Sequence, residues 1–225
     1  MVVDDRPDLH VLLLRRRTGS AFVPGMDVFP GGGVDPHDAT AEGEIGGGLD
    51  DATASARLGL ARGGRAYWVA AVRETLEEAA LVLAVSALHY TARWITPLGP
   101  PRRYDTRFFV TALPSGQTPV ADQCEAVHAE WVRPAQALAE FSAGSRGMLP
   151  PTAGMLRILA SYPSAAELLR AAARAESAPD QRVRLASEGG TWTVLLPGEP
   201  YEPQGAARVL EQDAWVRLGL FAREE

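Results

Sequence analysis

Arg73-Glu74-Thr75-Leu76-Glu77-Glu78 is the stretch on which the reading of this chain turns. It lies inside a helical pattern that begins near Arg65. Val69, Val72, Leu76, Ala79, Ala80 and Leu83 recur at steps of three and four residues, which predicts one apolar helix face. At about 100° per residue, Glu74, Glu77 and Glu78 fall within an arc of roughly 100° turned away from that face. Like charges so spaced repel by a few tenths of a kcal/mol per pair. Arg73, four residues before Glu77, relieves one of them, and no other basic residue follows until Arg93. The carboxylates also lie about two turns into the helix, where the N-terminal dipole helps little. A hard divalent cation, which takes oxygen ligands, would relieve the crowding. A solvated acidic helix face accounts for the same residues, so the helix alone does not choose.

Upstream stands Phe29-Pro30-Gly31-Gly32-Gly33, a short extended piece followed by a turn without side chains. Such a loop exposes its carbonyls and N–H groups and can approach a metal or phosphate closely. Between loop and helix, residues 39–64 are rich in Ala, Gly and Asp and poor in large apolar side chains. They predict a surface insertion that adds little core, with a short helix near Asp50 to Leu58. Around this centre, Asp8 to Arg17 read as a strand, with only Val2-Val3 as a short first strand before it. Strands are expected near 93–96, 106–113 and 127–132, and helices over 134–141, 152–162 and 164–177. Two strand candidates, 181–186 and 191–196, close the pattern. The interleaving gives an α/β or α+β fold without internal repeats.

Composition bounds the function. The 225 residues carry 28 acidic and 22 basic side chains, all of the latter Arg, for a formal charge of −6. That argues against a nucleic-acid binder, which needs a basic footprint. The single cysteine, Cys124, excludes an internal disulfide and a multi-cysteine zinc site. The longest strongly apolar run, about Ala79 to Val85, is far short of a membrane span, and the acidic N-terminus is unlike a signal peptide. A cytoplasmic location is the simplest expectation. His10, His37, His89 and His128 show no paired ligand spacing, and no G-x-S-x-G elbow occurs.

The glycine loop and the acidic helix together resemble the signature of the Nudix hydrolases, G-x5-E-x7-R-E-U-x-E-E-x-G-U, where U is bulky and apolar. With Gly32 in the first position, Asp38 stands at the first acidic position, and Arg73-Glu74, Glu77, Glu78 and Leu81 follow in order. Asp38 replaces Glu, Thr75 replaces a U, and Ala80 replaces the late Gly. Thirty-four residues separate Asp38 from Arg73 where the signature has seven. If loop and helix meet in space, the extra segment must leave and return at one place, which loop-closure entropy tolerates. An interrupted box is similar to the branch that includes peroxisomal coenzyme A diphosphatases and bacterial relatives. Val11 to Arg16, Phe22 to Gly32, Arg103-Tyr104-Asp105-Thr106-Arg107-Phe108-Phe109 and Leu149 to Thr152 carry that likeness. An upstream motif of coenzyme A-cleaving members is matched at Leu12-Leu13, Arg16 and Gly25-x3-Phe29, but Ala21 stands where it has a second Arg.

The resemblance implies a Nudix fold: a mixed β-sheet sandwiched between helices over residues 1–150, with the insertion at about 39–64. Residues 151–225 would form a helical C-terminal extension with a terminal β-hairpin packed on the same domain. It implies an enzyme that hydrolyses a diphosphate linkage with Mg²⁺ or Mn²⁺. Gly32, Glu74, Glu77 and Glu78 would be metal ligands, Glu74, Glu77 and Glu78 catalytic, and Arg73 the residue that orients them and ties the helix to Asp38. Arg16, Phe29 and Arg103 would meet substrate, and Glu125 is a loop candidate for activating water. Arg107 binds a phosphate or pairs with Asp105; the sequence does not say which. The substrate would be a small nucleoside diphosphate-linked molecule, foremost coenzyme A or acyl-coenzyme A. ADP-ribose, a dinucleotide or a nucleotide sugar is the alternative, and a nucleotide-sensing module without catalysis is another. Family members are often dimers, so a homodimer is a further expectation.

Overall fold

The protein is described here from a computed structural model covering residues 1–19, 24–41, 48–95, 104–174, 180–182, 184–188 and 191–195. The central strand is β2 (Leu9–Arg16). Its alternate side chains go to opposite faces. Leu9, Val11 and Leu13 enter one apolar cluster, and Leu12 and Leu14 enter another. That is why the sequence shows an unbroken apolar run there: both faces of the strand are covered. Beside β2 lie β1 (Val2–Asp5), antiparallel to it, and β6 (Ala126–Val132), also antiparallel. The two-residue β3 (Asp27–Val28) pairs with Leu14 and Arg15 near the strand's far end. β5 (Asp105–Ala112) runs parallel to β1, and β4 (His89–Ile95) is antiparallel to β5. With β7 (Asp180–Arg182) parallel to β4, seven strands make one mixed sheet.

Helices cover both faces. α1 (Asp51–Leu58) and α2 (Arg65–Ala79) put Ala54, Leu58, Trp68, Val69 and Val72 against Leu12, Leu14 and Phe109. On the opposite face, α3 (Pro134–Ser142), α4 (Pro150–Ala160) and α5 (Ala165–Arg174) bury Ala137, Met155, Leu156, Leu159 and Leu168 against Val11, Leu13 and Trp94. Gly154 of α4 lies so close to the Trp94 ring that a methyl group there would overlap it. The expected sheet between helices is thus present, and so are the expected helices.

Three expectations need correction. The insertion contributes more core than its composition suggests. Asp50 caps α1 by accepting from the Thr53 N–H at 2.9 Å, and Ala54 and Leu58 reach the core although large apolar residues are few. The buried stripe of α2 is also rotated from the predicted one. It runs through Trp68, Val72, Thr75 and Ala79, while Leu76 is 39% exposed and Glu78 is buried. Two aromatic contacts of Trp68 near the start of the helix set its rotation: its ring packs on Phe109 at 4.7 Å and on Tyr90 at 6.4 Å. Finally, the strand expected at 181–186 is two strands. β7 joins the main sheet, and β8 (Arg184–Glu188) pairs with β9 (Thr191–Leu195) as a separate antiparallel hairpin.

The helix carrying the acids ends at Ala79, and Ala80 takes the left-handed conformation at φ 55°, ψ 29°. Its N–H donates to the Leu76 carbonyl, and the Leu81 N–H points to that of Thr75. A Cβ is disfavoured there, which gives the physical reason for a glycine at this point of the signature. Ala80→Gly is expected to stabilise the protein by about 0.5–1 kcal/mol, measured by urea unfolding.

Candidate functional site

The site forms where the end of β2, the loop after β3 and the second half of α2 come together. Pro30 to Gly33 lie directly on α2 across the long insertion. The Gly31 N–H donates to Glu78 Oε2 at 2.8 Å. A Cβ on Gly32 would stand 2.5 Å from the Glu74 carboxylate carbon and from both its oxygens. Only a residue without a side chain lets that carboxylate sit where it does.

Arg73 links the parts. Its Nε and Nη2 donate to the two oxygens of Asp38 at 2.9 and 3.0 Å. Nη2 also donates to the Gly33 carbonyl at 2.9 Å, and Nη1 to Glu74 at 2.9 Å and Glu77 at 3.0 Å. Asp38 is buried in a 3₁₀ turn, Pro36–Ala39, capped by Asp35. Burial pushes its carboxyl up, but the hydrogen bonds from Arg73 and the Asp35 N–H together bring it below the ordinary range. The partners raise the Arg73 guanidinium further above its already high value, so it stays charged. The insertion is closed beside this joint: Arg65 donates to the Ala41 carbonyl at 2.5 Å, and Asp51 accepts the N–H groups of Gly63 and Arg65.

Glu74, Glu77 and Glu78 differ in setting. Glu77 is 56% exposed on its side chain and held only by Arg73 among its described ion pairs. Burial raises the Glu74 carboxyl against the pull of Arg73. Burial raises Glu78 most, from 4.5 to about 7, with the negative charges of Glu74 and Glu125 adding to it. Arg16 reaches in from β2, 4.0 Å from Glu78 and bonded to Glu125 at 3.1 Å. The loop that carries Glu125 is fixed by Asp122, whose carboxylate accepts the N–H groups of Glu125 and Ala126.

These are oxygen donors in a negatively charged, partly buried place, which suits a hard divalent cation. Among the described residues, no three acids, histidines or cysteines already converge as a cage. The reason is visible: the Arg73 guanidinium and the Gly31 N–H hold the carboxylates that would have to converge.

The other predicted residues separate. Phe29, expected to meet substrate, is part of the core. It is 7% exposed and packs edge-to-face on Phe108, with centroids 6.1 Å apart, because β3 lays it over the sheet's α3–α5 face. Arg103 lies outside the described residues, as does Ala21. Arg107 pairs with Asp105 at 3.4 Å and lies against the Tyr67 ring at 4.2 Å. Sequence reasoning missed a buried network that fastens β3. Asp27, 2% exposed, accepts from Arg15 at 2.8 and 3.0 Å and from Arg146, which also donates to Glu130 and Glu140. Arg146 is 119 residues away in sequence, so no local signal marks the pair; an Asp inside an apolar strand next to the glycine loop was the one hint.

Residues 45–151 match the NUDIX domain family. That segment carries a NUDIX domain. The match begins inside the insertion, so the glycine loop precedes it in sequence and joins it only in space. The fold is similar to that of a Nudix hydrolase from Alicyclobacillus acidocaldarius, with a TM-score of 0.62 and 25% identity, over 75% of this chain and 92% of that one. Over 84 residues, 36% of the chain, it is 33% identical to the human acyl-coenzyme A diphosphatase NUDT19; the matched part is 22% of that protein's length. Nudix hydrolases generally use divalent metal ions and act on small nucleoside diphosphate-linked substrates. None of the described helices is long and apolar enough to cross a membrane.

Two outcomes follow from the geometry. Gly32→Ala should displace Glu74 with little cost in folding, because the clash is with the end of a side chain; turnover should drop at least about 100-fold while the unfolding midpoint stays near the parent's. Glu78 makes the metal-free fold pH-dependent. Between about 4.5 and 7 the folded protein keeps a proton that the unfolded chain has lost, so stability falls as pH rises through that window. In a chelator, Glu78→Gln should unfold at a higher temperature than the parent at pH 8, by the equivalent of up to ~3 kcal/mol, and at nearly the same temperature at pH 4.5.

Proposed function

We propose that this protein hydrolyses a diphosphate linkage with Mg²⁺ or Mn²⁺, and that its substrate is coenzyme A or an acyl-coenzyme A. The observation that carries the reading is the Arg73 hub. One guanidinium gathers Asp38, the Gly33 carbonyl, Glu74 and Glu77 across 34 intervening residues, beside the Gly31–Glu78 contact. A helix face meant only for solvent has no need of such a joint. Likeness to NUDT19 over 84 residues supports the coenzyme A choice.

Glu74, Glu77, Glu78 and the Gly32 carbonyl would hold the cation, and Arg73 would position Glu74 and Glu77. When bound, a divalent ion neutralises the anionic oxygens of a diphosphate and makes water a better nucleophile. Glu125 is the residue we assign to take the proton from the attacking water. It is 60% exposed on its side chain, oriented by Arg16, and close enough to Glu78 to add to its raised carboxyl. Arg16, with its charge at the same place, would face a phosphate oxygen once substrate enters. Arg103 is a further candidate for substrate contact.

A substrate panel with Mg²⁺ or Mn²⁺, read by product mass, tests this. Coenzyme A should yield 4′-phosphopantetheine and adenosine 3′,5′-bisphosphate. Preferential cleavage of ADP-ribose or a dinucleotide would replace the substrate, and no turnover of any diphosphate would leave a nucleotide sensor. Glu77→Gln should lower turnover by about 100-fold or more with an unchanged unfolding midpoint, since its side chain is exposed.

A further inference from the structure

We propose that Arg107 binds a second anionic group of the substrate, a phosphomonoester remote from the scissile diphosphate; the proposal rests on the diphosphatase reading above. The Arg107 side chain is 2% exposed, and its Nε and Nη1 have no hydrogen-bond partner. A guanidinium is charged at any physiological pH, and buried donors are nearly always satisfied in native proteins. Among the described residues the buried Arg146 obeys that rule, donating to Asp27, Glu130 and Glu140. Arg107 falls short because its natural partner is taken. Both oxygens of Asp105 accept from Arg93 at 2.7 Å, on the strand directly opposite, which leaves Arg107 at 3.4 Å.

Its placement suits a ligand group. Arg107 and Phe109 share one face of β5, and Phe109 packs on Trp68, so Arg107 lies on the side of the sheet that α2 covers. The Tyr67 ring holds the guanidinium plane at 4.2 Å, so an oxyanion would bond at its edge, the arrangement by which arginine takes phosphate. Tyr67 lies in the first turn of α2, which carries no acidic residue. Glu74 is seven positions after Tyr67, about 10 Å along the helix. A group held there is therefore distinct from the diphosphate at the glutamates, with a ribose able to carry both. Among the substrates considered, coenzyme A has a 3′-phosphate in that relation to its diphosphate, and ADP-ribose has none.

The test is binding of adenosine 3′,5′-bisphosphate and of adenosine 5′-monophosphate to the full chain in a chelator, by calorimetry. Neither ligand has a diphosphate and no metal is present, so the result does not depend on turnover. The parent should bind the bisphosphate at least about tenfold more tightly. Arg107→Gln should bring the two within about twofold, and Arg107→Lys should keep part of the preference. Tyr67→Leu, which leaves the charge but frees its plane, should also narrow the gap and serves if Arg107→Gln does not fold. A parent that binds both equally, or neither, overturns the proposal, as does an Arg107→Gln protein that keeps the preference. A retained preference with no hydrolysis of any diphosphate would sink the hydrolase reading and leave this site standing.

Discussion

The structure of the site depends on one guanidinium whose donors are fully used. Arg73 has five N–H groups and makes five hydrogen bonds: two to Asp38, one to the Gly33 carbonyl, one to Glu74 and one to Glu77. A lysine has three donors and no fixed plane, and so cannot make this joint. The bonds run to three segments that the sequence separates: the glycine loop, the turn at Asp38 and the helix itself. The long insertion is tolerated because its two ends are joined here and again at Ala41 and Arg65. Once that closure is made, added length in the excursion costs little.

The same joint leaves charge over. Five acids, Asp38, Glu74, Glu77, Glu78 and Glu125, face Arg73 and Arg16, so the group is formally −3 when all are ionised. Asp38 is fully compensated and stays ionised. Glu78 is buried and served by one N–H; burial first, and the neighbouring negative charges second, push its carboxyl up to about 7. Such a place is unfavourable by itself, and a bound cation would relieve it. The stability lost at the site is recovered elsewhere, in the two apolar clusters on either face of the sheet and in the paired network around Asp27.

Much of this was legible in the sequence, and the reasons differ from element to element. The helix around Glu74 and the run of β2 follow from local periodicity and apolar content, and both formed as expected. The meeting of Gly32 with Glu74 was legible as the pattern of a family signature, despite the 34-residue interruption. What periodicity did not reveal is rotation. Leu76 reads as core and Glu78 as surface, yet large rings at Trp68 and Phe109 fix the roll of α2 and reverse the two. Phe29 sits beside the functional loop in sequence, but strand alternation sends it into the core. The Asp27–Arg146 pair was illegible for a simpler reason: it is made by residues 119 apart, with nothing local to announce it. Ala80 was legible only as a departure from glycine, and its φ of 55° explains what the glycine is for.

Buried charge in this protein falls into two kinds, and the distinction says where function lies. Around Asp27 each charged group meets opposite charge: two arginines on the aspartate, and Glu130 and Glu140 on the second of them. Removing one member would leave another buried and unpaired, so the network fixes a single position for β3 and the loop that follows. Glu78 and Arg107 are of the second kind. Each is buried, yet each is served short of what its charge requires: Glu78 has one N–H and an arginine at 4.0 Å, and Arg107 has no acceptor at Nε or Nη1. A fold that satisfies the charges around Asp27 so fully has no architectural reason to leave these two short. They lie beneath or upon the same helix, one in need of positive charge and the other of negative. On the proposed reading, a metal bound to an anionic substrate would supply both signs at once and complete this pairing.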